Sequence, residues 1–346
     1  MRVHLWFTMA TILTTFGVCL ADERDERVKV VTTTETLAAI AREVGGDRVA
    51  VFSLSRGVED PHYVTPTPTL MVQVTDADLF VETGMSLEVW VERVLDGGRN
   101  AKIRRGSGGH VYAHHGISPL QIPSRLSRSE GDIHAHGNPH IWLDPINAKT
   151  IAANIVVGLI RVDPEGSEAY DQRLEQFCNR IDAAFYGRDL VEILGIEYCD
   201  RLQRSGGLIE FLETNEYKGR PLMESLGGWR KKMLPLRGMN LVAYHKTWVY
   251  LLDAFDLDVV AHIEPKPGIS PTPSQIRLVR RMIETHQVPT IISAPYYDVG
   301  KVRTLAEETK INAVVLPSGV GADGASGDYF ALFDRITDLL LENARS

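Results

Sequence analysis

From residue 28 onward the chain alternates short apolar, β-branched runs with segments whose apolar residues recur at helical spacing. Residues 28–34 read as a strand and 37–44 as a helix closed by Gly45-Gly46. A strand over 49–54, a loop over 55–65, a helix over 68–74, a short buried strand over 78–82 and an amphipathic helix over 87–95 follow. The rhythm returns near the C-terminus, with strands at 240–244, 257–263, 290–293 and 313–316. Helices fall at 247–255, 274–285, 299–309 and 329–341. Strand alternating with helix predicts parallel sheets covered by helices on both faces, here as two similar α/β lobes. Ligands of such sheets collect at the carboxyl ends of the strands.

The middle of the chain breaks this rhythm. Asp144-Pro145 is an N-cap followed by proline at the first helical position, and it opens an apolar run over 146–160. Asp163-Pro164 opens a second helical pattern, so 146–189 reads as a helical connection. Residues 190–239 hold only short amphipathic pieces and read as an insertion of small helices, with no evident chemistry. Between 106 and 137 apolar periodicity dissolves into a long loop holding His110, His114, His115, His134 and His136, five of the eleven histidines. That loop is either a solvated connector or an accessory metal-collecting tract. The domain reading is an N-terminal lobe over 22–145 and a C-terminal lobe over 240–346.

Composition narrows the classes. The 346 residues are 44% hydrophobic and 24% charged, a globular profile long enough for two lobes with cores of their own. The net charge of −8 and the lack of a basic patch exclude nucleic acid as a partner. An apolar run over 5–20, with Arg2 before it and a charged stretch after it, reads as a signal peptide over 1–21. The run is shorter than the roughly 20 residues a spanning helix needs. Export to the periplasm is expected; lipoprotein anchoring at Cys19 is the alternative, poorly supported by Phe16-Gly17-Val18. An oxidising compartment would permit a disulfide between Cys178 and Cys199.

Three histidines stand where ligands gather: His62 in Asp60-Pro61-His62-Tyr63, His140 in Gly137-Asn138-Pro139-His140-Ile141-Trp142, and His245 after Val242-Ala243-Tyr244. Each lies in a loop after a strand or just ahead of a helix, where backbone restraint limits its freedom. Three imidazoles suit Zn(II), whereas Mn(II) prefers more oxygen, and no second carboxylate is evident. There is no HExxH, CxxC, P-loop, GxGxxG or nucleophile elbow. Three histidines plus water is also a hydrolase geometry, but no general base can be placed beside it.

The order of Asp60-Pro61-His62, Ala77-Asp78-Leu79-Phe80-Val81 with Gly84 and Leu87-Glu88, Pro139-His140-Ile141-Trp142-Leu143-Asp144-Pro145 and Tyr244-His245 resembles the zinc/manganese substrate-binding proteins of ABC importers. The resemblance spans nearly all of 28–342. It implies two (β/α) lobes joined by a long rigid helix, a metal in the cleft held by His62, His140 and His245, and capture rather than catalysis. The transported ligand is expected to be Zn(II), with Mn(II) the alternative, handed by a monomer to a membrane permease. A zinc hydrolase and an adhesin-like surface protein are the rival classes. Where the family often supplies an acid after the last strand, this chain has Leu316-Pro317-Ser318-Gly319. The fourth ligand is left open among a water, Asp323 and another, mobile residue.

Overall fold

The computed structural model describes residues 26–123, 134–266, 268–324 and 327–344, so the expected signal segment lies outside the described residues. In the N-terminal lobe, β1 (Val28–Thr32), β2 (Val49–Ser53), β3 (Leu79–Glu82) and β4 (His110–Tyr112) form a parallel sheet in the order β2-β1-β3-β4. Val30 pairs with Val51 on one side and Leu79 on the other. Successive side chains on a strand point to opposite faces, so both faces must be covered. Val30, Leu79 and Val81 meet Leu37 and Ile40 of α1 (Glu35–Gly45). Val31 and Phe80 meet Val74 of α2 (Pro68–Thr75) and Val91 and Val94 of α3 (Val91–Gly98).

Two expectations change here. The helix expected over 87–95 begins only at Val91, because Glu88 turns its carboxylate back onto the strand end and accepts from Thr83 N, Gly84 N and Thr33 Oγ1 at 2.9, 3.1 and 2.7 Å. The loop expected over 106–137 contains a fourth strand. His110 is buried there, 3.1 Å from Glu82 Oε1, which Arg105 also meets at 3.3 Å. A histidine facing a carboxylate inside a sheet looks polar in the sequence and escapes an apolar pattern.

After this sheet the chain enters α4 (Pro145–Val162), capped by Asp144 accepting from Ile146 N at 2.8 Å, and then α5 (Ser167–Tyr186). At 1.5 Å per residue the 20-residue α5 spans about 30 Å. It packs on α1 and α4 and, near its C-terminal end, meets α9 (Gly228–Met233), which rests on the C-terminal helix described below. The insertion supplies α6 (Arg188–Leu194), α7 (Ile196–Arg204), α8 (Leu208–Thr214) and a hairpin of β5 (Glu216–Tyr217) and β6 (Arg220–Pro221). Lys149 of α4 reaches Asp182 of α5 and Asp200 of α7 at 2.6 and 2.7 Å, tying insertion to connection. Cys178 and Cys199 sit on α5 and α7 as free thiols, so the expected disulfide is not formed. Burial pushes both up to about 11.

The C-terminal lobe repeats the first in β7 (Asn240–Ala243), α10 (Val249–Phe255), β8 (Asp258–His262), α11 (Pro273–Thr285), β9 (Thr290–Ser293), α12 (Val299–Thr309), β10 (Asn312–Val315) and α13 (Tyr329–Asn343). Its sheet is parallel, in the order β10-β9-β7-β8. Val242 and Ile291 face Val279, Ile283 and Val302 of α11 and α12. Leu241 and Ile292 belong to the apolar core that runs through α4, α5 and α13 into the first lobe. One continuous core across both lobes makes the connection stiff.

Candidate metal centre

Of the three expected histidines, His62 and His140 stand side by side and His245 lies near enough to act electrostatically on both, and each spends Nδ1 on an oxygen. In Asp60-Pro61-His62 the aspartate Oδ1 accepts from His62 N at 3.0 Å and from Nδ1 at 2.6 Å. Asn138-Pro139-His140 repeats this, with Asn138 Oδ1 accepting from His140 N at 3.0 Å and from Nδ1 at 2.9 Å. Asn138 must present its oxygen here, because its Nδ2 donates to the Lys246 carbonyl at 2.7 Å. His245 Nδ1 donates to the Glu264 carbonyl at 2.8 Å. A carbonyl only accepts, so Nδ1 carries the proton and Nε2 keeps a free lone pair. Orientation of imidazoles through the other ring nitrogen is typical of metal sites.

The rings of His62 and His140 lie 5.2 Å apart. His140 Nε2 is buried without a hydrogen-bond partner, an orphaned acceptor aimed at its neighbours. A fourth imidazole, His134, stands beside them: its Nε2 is 3.3 Å from His62 Nε2, and the two rings are 5.2 Å apart. In the sequence His134 belongs to the tract read as either a solvated connector or an accessory metal collector. Ser318 is buried, its carbonyl accepting from Trp142 Nε1 at 2.8 Å, while Asp323 is exposed.

The electrostatics suit a neutral donor set. Burial holds His140 well below the usual imidazole range, and the nearby His62, His134 and His245 push the same way. Burial likewise lowers His245 to about 4, against the opposing Glu264 carbonyl. Asp60 is occupied with His62, and the Glu264 carboxylate accepts from Gly268 N at 2.9 Å. Among the described residues no three His, Cys, Asp or Glu side chains already stand at metal-holding distances. The imidazoles meet in pairs, with His62 common to both.

The lobes are held together around this cluster. Val320 N donates to Thr36 Oγ1 at 3.0 Å, Tyr329 Oη to the Trp142 carbonyl at 2.6 Å, and Tyr250 Oη to the Asn138 carbonyl at 2.9 Å. Gly57 lies so close to the second lobe that a Cβ there would come within 2.2 Å of the Val320 carbonyl oxygen.

Two α/β lobes on a stiff helical connection, with oriented imidazoles in the cleft, define a two-lobe metal-binding receptor. The profile of the family described as "Zinc-uptake complex component A periplasmic" (ZnuA) matches residues 30–185 and 224–343, and the chain belongs to that family of metal-binding receptors of ABC importers. The family's members are extracytoplasmic binding proteins, not enzymes. The unmatched stretch, 186–223, begins at the last residue of α5 and covers most of the insertion. The chain is 32% identical to the iron-binding protein YfeA of Yersinia pestis over 46% of this chain and 47% of that one, so this match spans about half of the relative's length. It is 28% identical to the manganese-binding lipoprotein MntA of Halalkalibacterium halodurans over 89% of this chain and 85% of that one. A crystal structure of ZnuA shares the fold with a TM-score of 0.66 at 16% identity, covering 92% of this chain and 99% of that chain.

Proposed function

We propose that this receptor captures Zn(II) on the Nε2 atoms of His62, His140 and His245, with His134 as the fourth ligand, and delivers it as a periplasmic monomer to its ABC permease. The observation that carries this reading is the shared orientation: His62, His140 and His245 each spend Nδ1 on an oxygen, leaving Nε2 for a cation. The choice of Zn(II) over the manganese and iron of the named relatives rests on the donor set. It is all imidazole, and the Asp60 and Glu264 carboxylates each already accept a hydrogen bond. Two nitrogens on one tetrahedral zinc at about 2.05 Å stand roughly 3.3–3.4 Å apart, close to the 3.3 Å between His62 and His134. Capture then requires His140 and His245 to turn onto the ion.

The test is chelator competition with Zn(II), Mn(II) and Fe(II) on wild type and on His62→Ala, His140→Ala and His245→Ala. The reading predicts tight Zn(II) binding, weaker Mn(II), and strong loss in every variant. Tighter Mn(II) than Zn(II) would overturn the choice of metal, and an unaffected variant would remove that histidine from the site.

A further inference from the structure

The peptide joining Pro61 to His62 is held at both of its polar groups. Its N–H, on His62, donates to Asp60 Oδ1 at 3.0 Å, and its carbonyl, on Pro61, accepts from Trp90 Nε1 at 2.8 Å. A planar peptide fixed at both groups cannot swing, and it sets the direction in which the His62 side chain leaves the backbone. Pro61 is buried, so its carbonyl needs a donor from the protein. The indole that supplies it is itself buried, in the core with Val31, Leu54 and Phe80. His140 is held differently: Tyr250 Oη and the Lys246 carbonyl, both of the second lobe, grip Asn138 at the head of its tripeptide.

The loop that carries His62 is gripped at its other end as well. Ser55, its first residue, donates from N and Oγ to the Thr33 carbonyl at 3.1 and 2.8 Å, and Thr33 Oγ1 donates to the buried Glu88 carboxylate at 2.7 Å. Glu88 lies two residues before Trp90. Its carboxylate also accepts from Thr83 N and Gly84 N, closing a turn in which Gly84, Met85 and Ser86 have φ of 83°, 56° and 63°. Met and Ser rarely adopt that conformation, so the turn needs an anchor, and a carboxylate with two accepting oxygens supplies it. We infer that Trp90 is a positioning residue for the metal ligand His62, kept in register by the Glu88 turn, so that one segment, 83–90, clamps both ends of the ligand loop over 55–62. The role rests on the proposed reading of His62 as a ligand. Trp90 and Glu88 act through the backbone of the loop and not as ligands themselves. A ligand already held in its bound orientation loses less freedom when the metal arrives, and affinity rises accordingly.

The test is Zn(II) affinity by chelator competition at neutral pH for wild type, Trp90→Phe, Glu88→Gln, His62→Ala and Trp90→Phe/His62→Ala, with urea denaturation confirming that each metal-free variant is folded. Phenylalanine keeps an apolar ring and deletes the N–H. Glutamine keeps the shape of Glu88 but turns an NH2 toward the donors of the turn. Each of these two should weaken binding by about 10–100-fold, the cost typical of groups that orient a metal ligand. The double variant should bind no more weakly than His62→Ala alone, because the tie then has no ligand to orient. A group that merely supports the lobe would add its full loss in that background, so additive losses overturn the positioning role. Wild-type affinity in Trp90→Phe or in Glu88→Gln, beside a weak His62→Ala, overturns it too and leaves the ligand assignment standing. His62→Ala that binds as tightly as wild type overturns the ligand assignment, and the positioning role with it.

Discussion

His134 faces His62 across 3.3 Å, Nε2 to Nε2, although the two are separated by 72 residues of chain. Two ring nitrogens at that distance repel unless a proton or a cation lies between them. The first prediction follows. His134→Ala should weaken the tight site by at least the 10–100-fold that loss of an orienting partner costs, while the fold persists. Chelator competition at neutral pH reads this directly. Affinity equal to wild type would leave His134 as a bystander and return the fourth position to water.

Much of this arrangement was legible in the chain. Alternating runs of β-branched and helical spacing gave both sheets, and Asp144-Pro145 gave the start of α4. His62 and His245 stand in loops after strands and His140 just ahead of a helix start, positions that the pattern of the chain makes visible. The repeated Asx-Pro-His tripeptide was also in view, yet its meaning is a matter of dihedral angles: proline sets φ so that the preceding side-chain oxygen reaches both His N and Nδ1. His134 was not legible as a cleft residue, because a flexible-looking tract carries no periodicity to say which way it folds back. His110 was hidden for a different reason. It is buried facing Glu82 at 3.1 Å, and two polar side chains facing each other leave no apolar signature.

The seam between the lobes gives the second prediction. Gly57 packs against backbone of the 319–322 turn, which cannot move aside as a flexible side chain would. Gly57→Ala should force the lobes apart at that edge, costing about 1–3 kcal/mol in overpacking and weakening metal capture along with stability. Urea denaturation of the metal-free protein, paired with chelator competition, measures both. An alanine that changes neither would mean the two loops part freely.

The third prediction concerns the tie between the helical connection and the insertion. Lys149 is largely buried between Asp182 and Asp200, and Tyr186 Oη donates to Asp200 at 3.0 Å. Removing the cation strands two carboxylates in a poorly solvated space, which typically costs about 3–5 kcal/mol. Lys149→Met should therefore lower the unfolding midpoint sharply, and Lys149→Met/Asp182→Asn/Asp200→Asn should recover most of the loss. A single variant as stable as wild type would show that the cluster is well hydrated.

The last prediction is a pH dependence whose sign follows from burial. In the unfolded chain His245 is an ordinary imidazole and takes a proton below about pH 6.5. In the metal-free fold burial keeps it neutral down to about 4, with Lys246 and His62 opposing the charge and Asp60 favouring it; His262, behind it, is held near 4 as well. Between those limits the unfolded state binds more protons, so stability is fully present above pH 6.5 and is lost as pH falls toward 4. At 1.36 kcal/mol per pKa unit, His245 alone accounts for about 3 kcal/mol across that window. Urea midpoints at pH 7, 6 and 5 should decline in wild type and decline less in His245→Leu, which has no proton to bind. The same neutrality reshapes metal capture. Free imidazoles would lose affinity steeply from pH 7 to 5, the expectation for unburied ligands, whereas His140 and His245 postpone their share of that competition to lower pH. Parallel pH slopes for wild type and His245→Leu would show that His245 titrates in the fold as it does in solution.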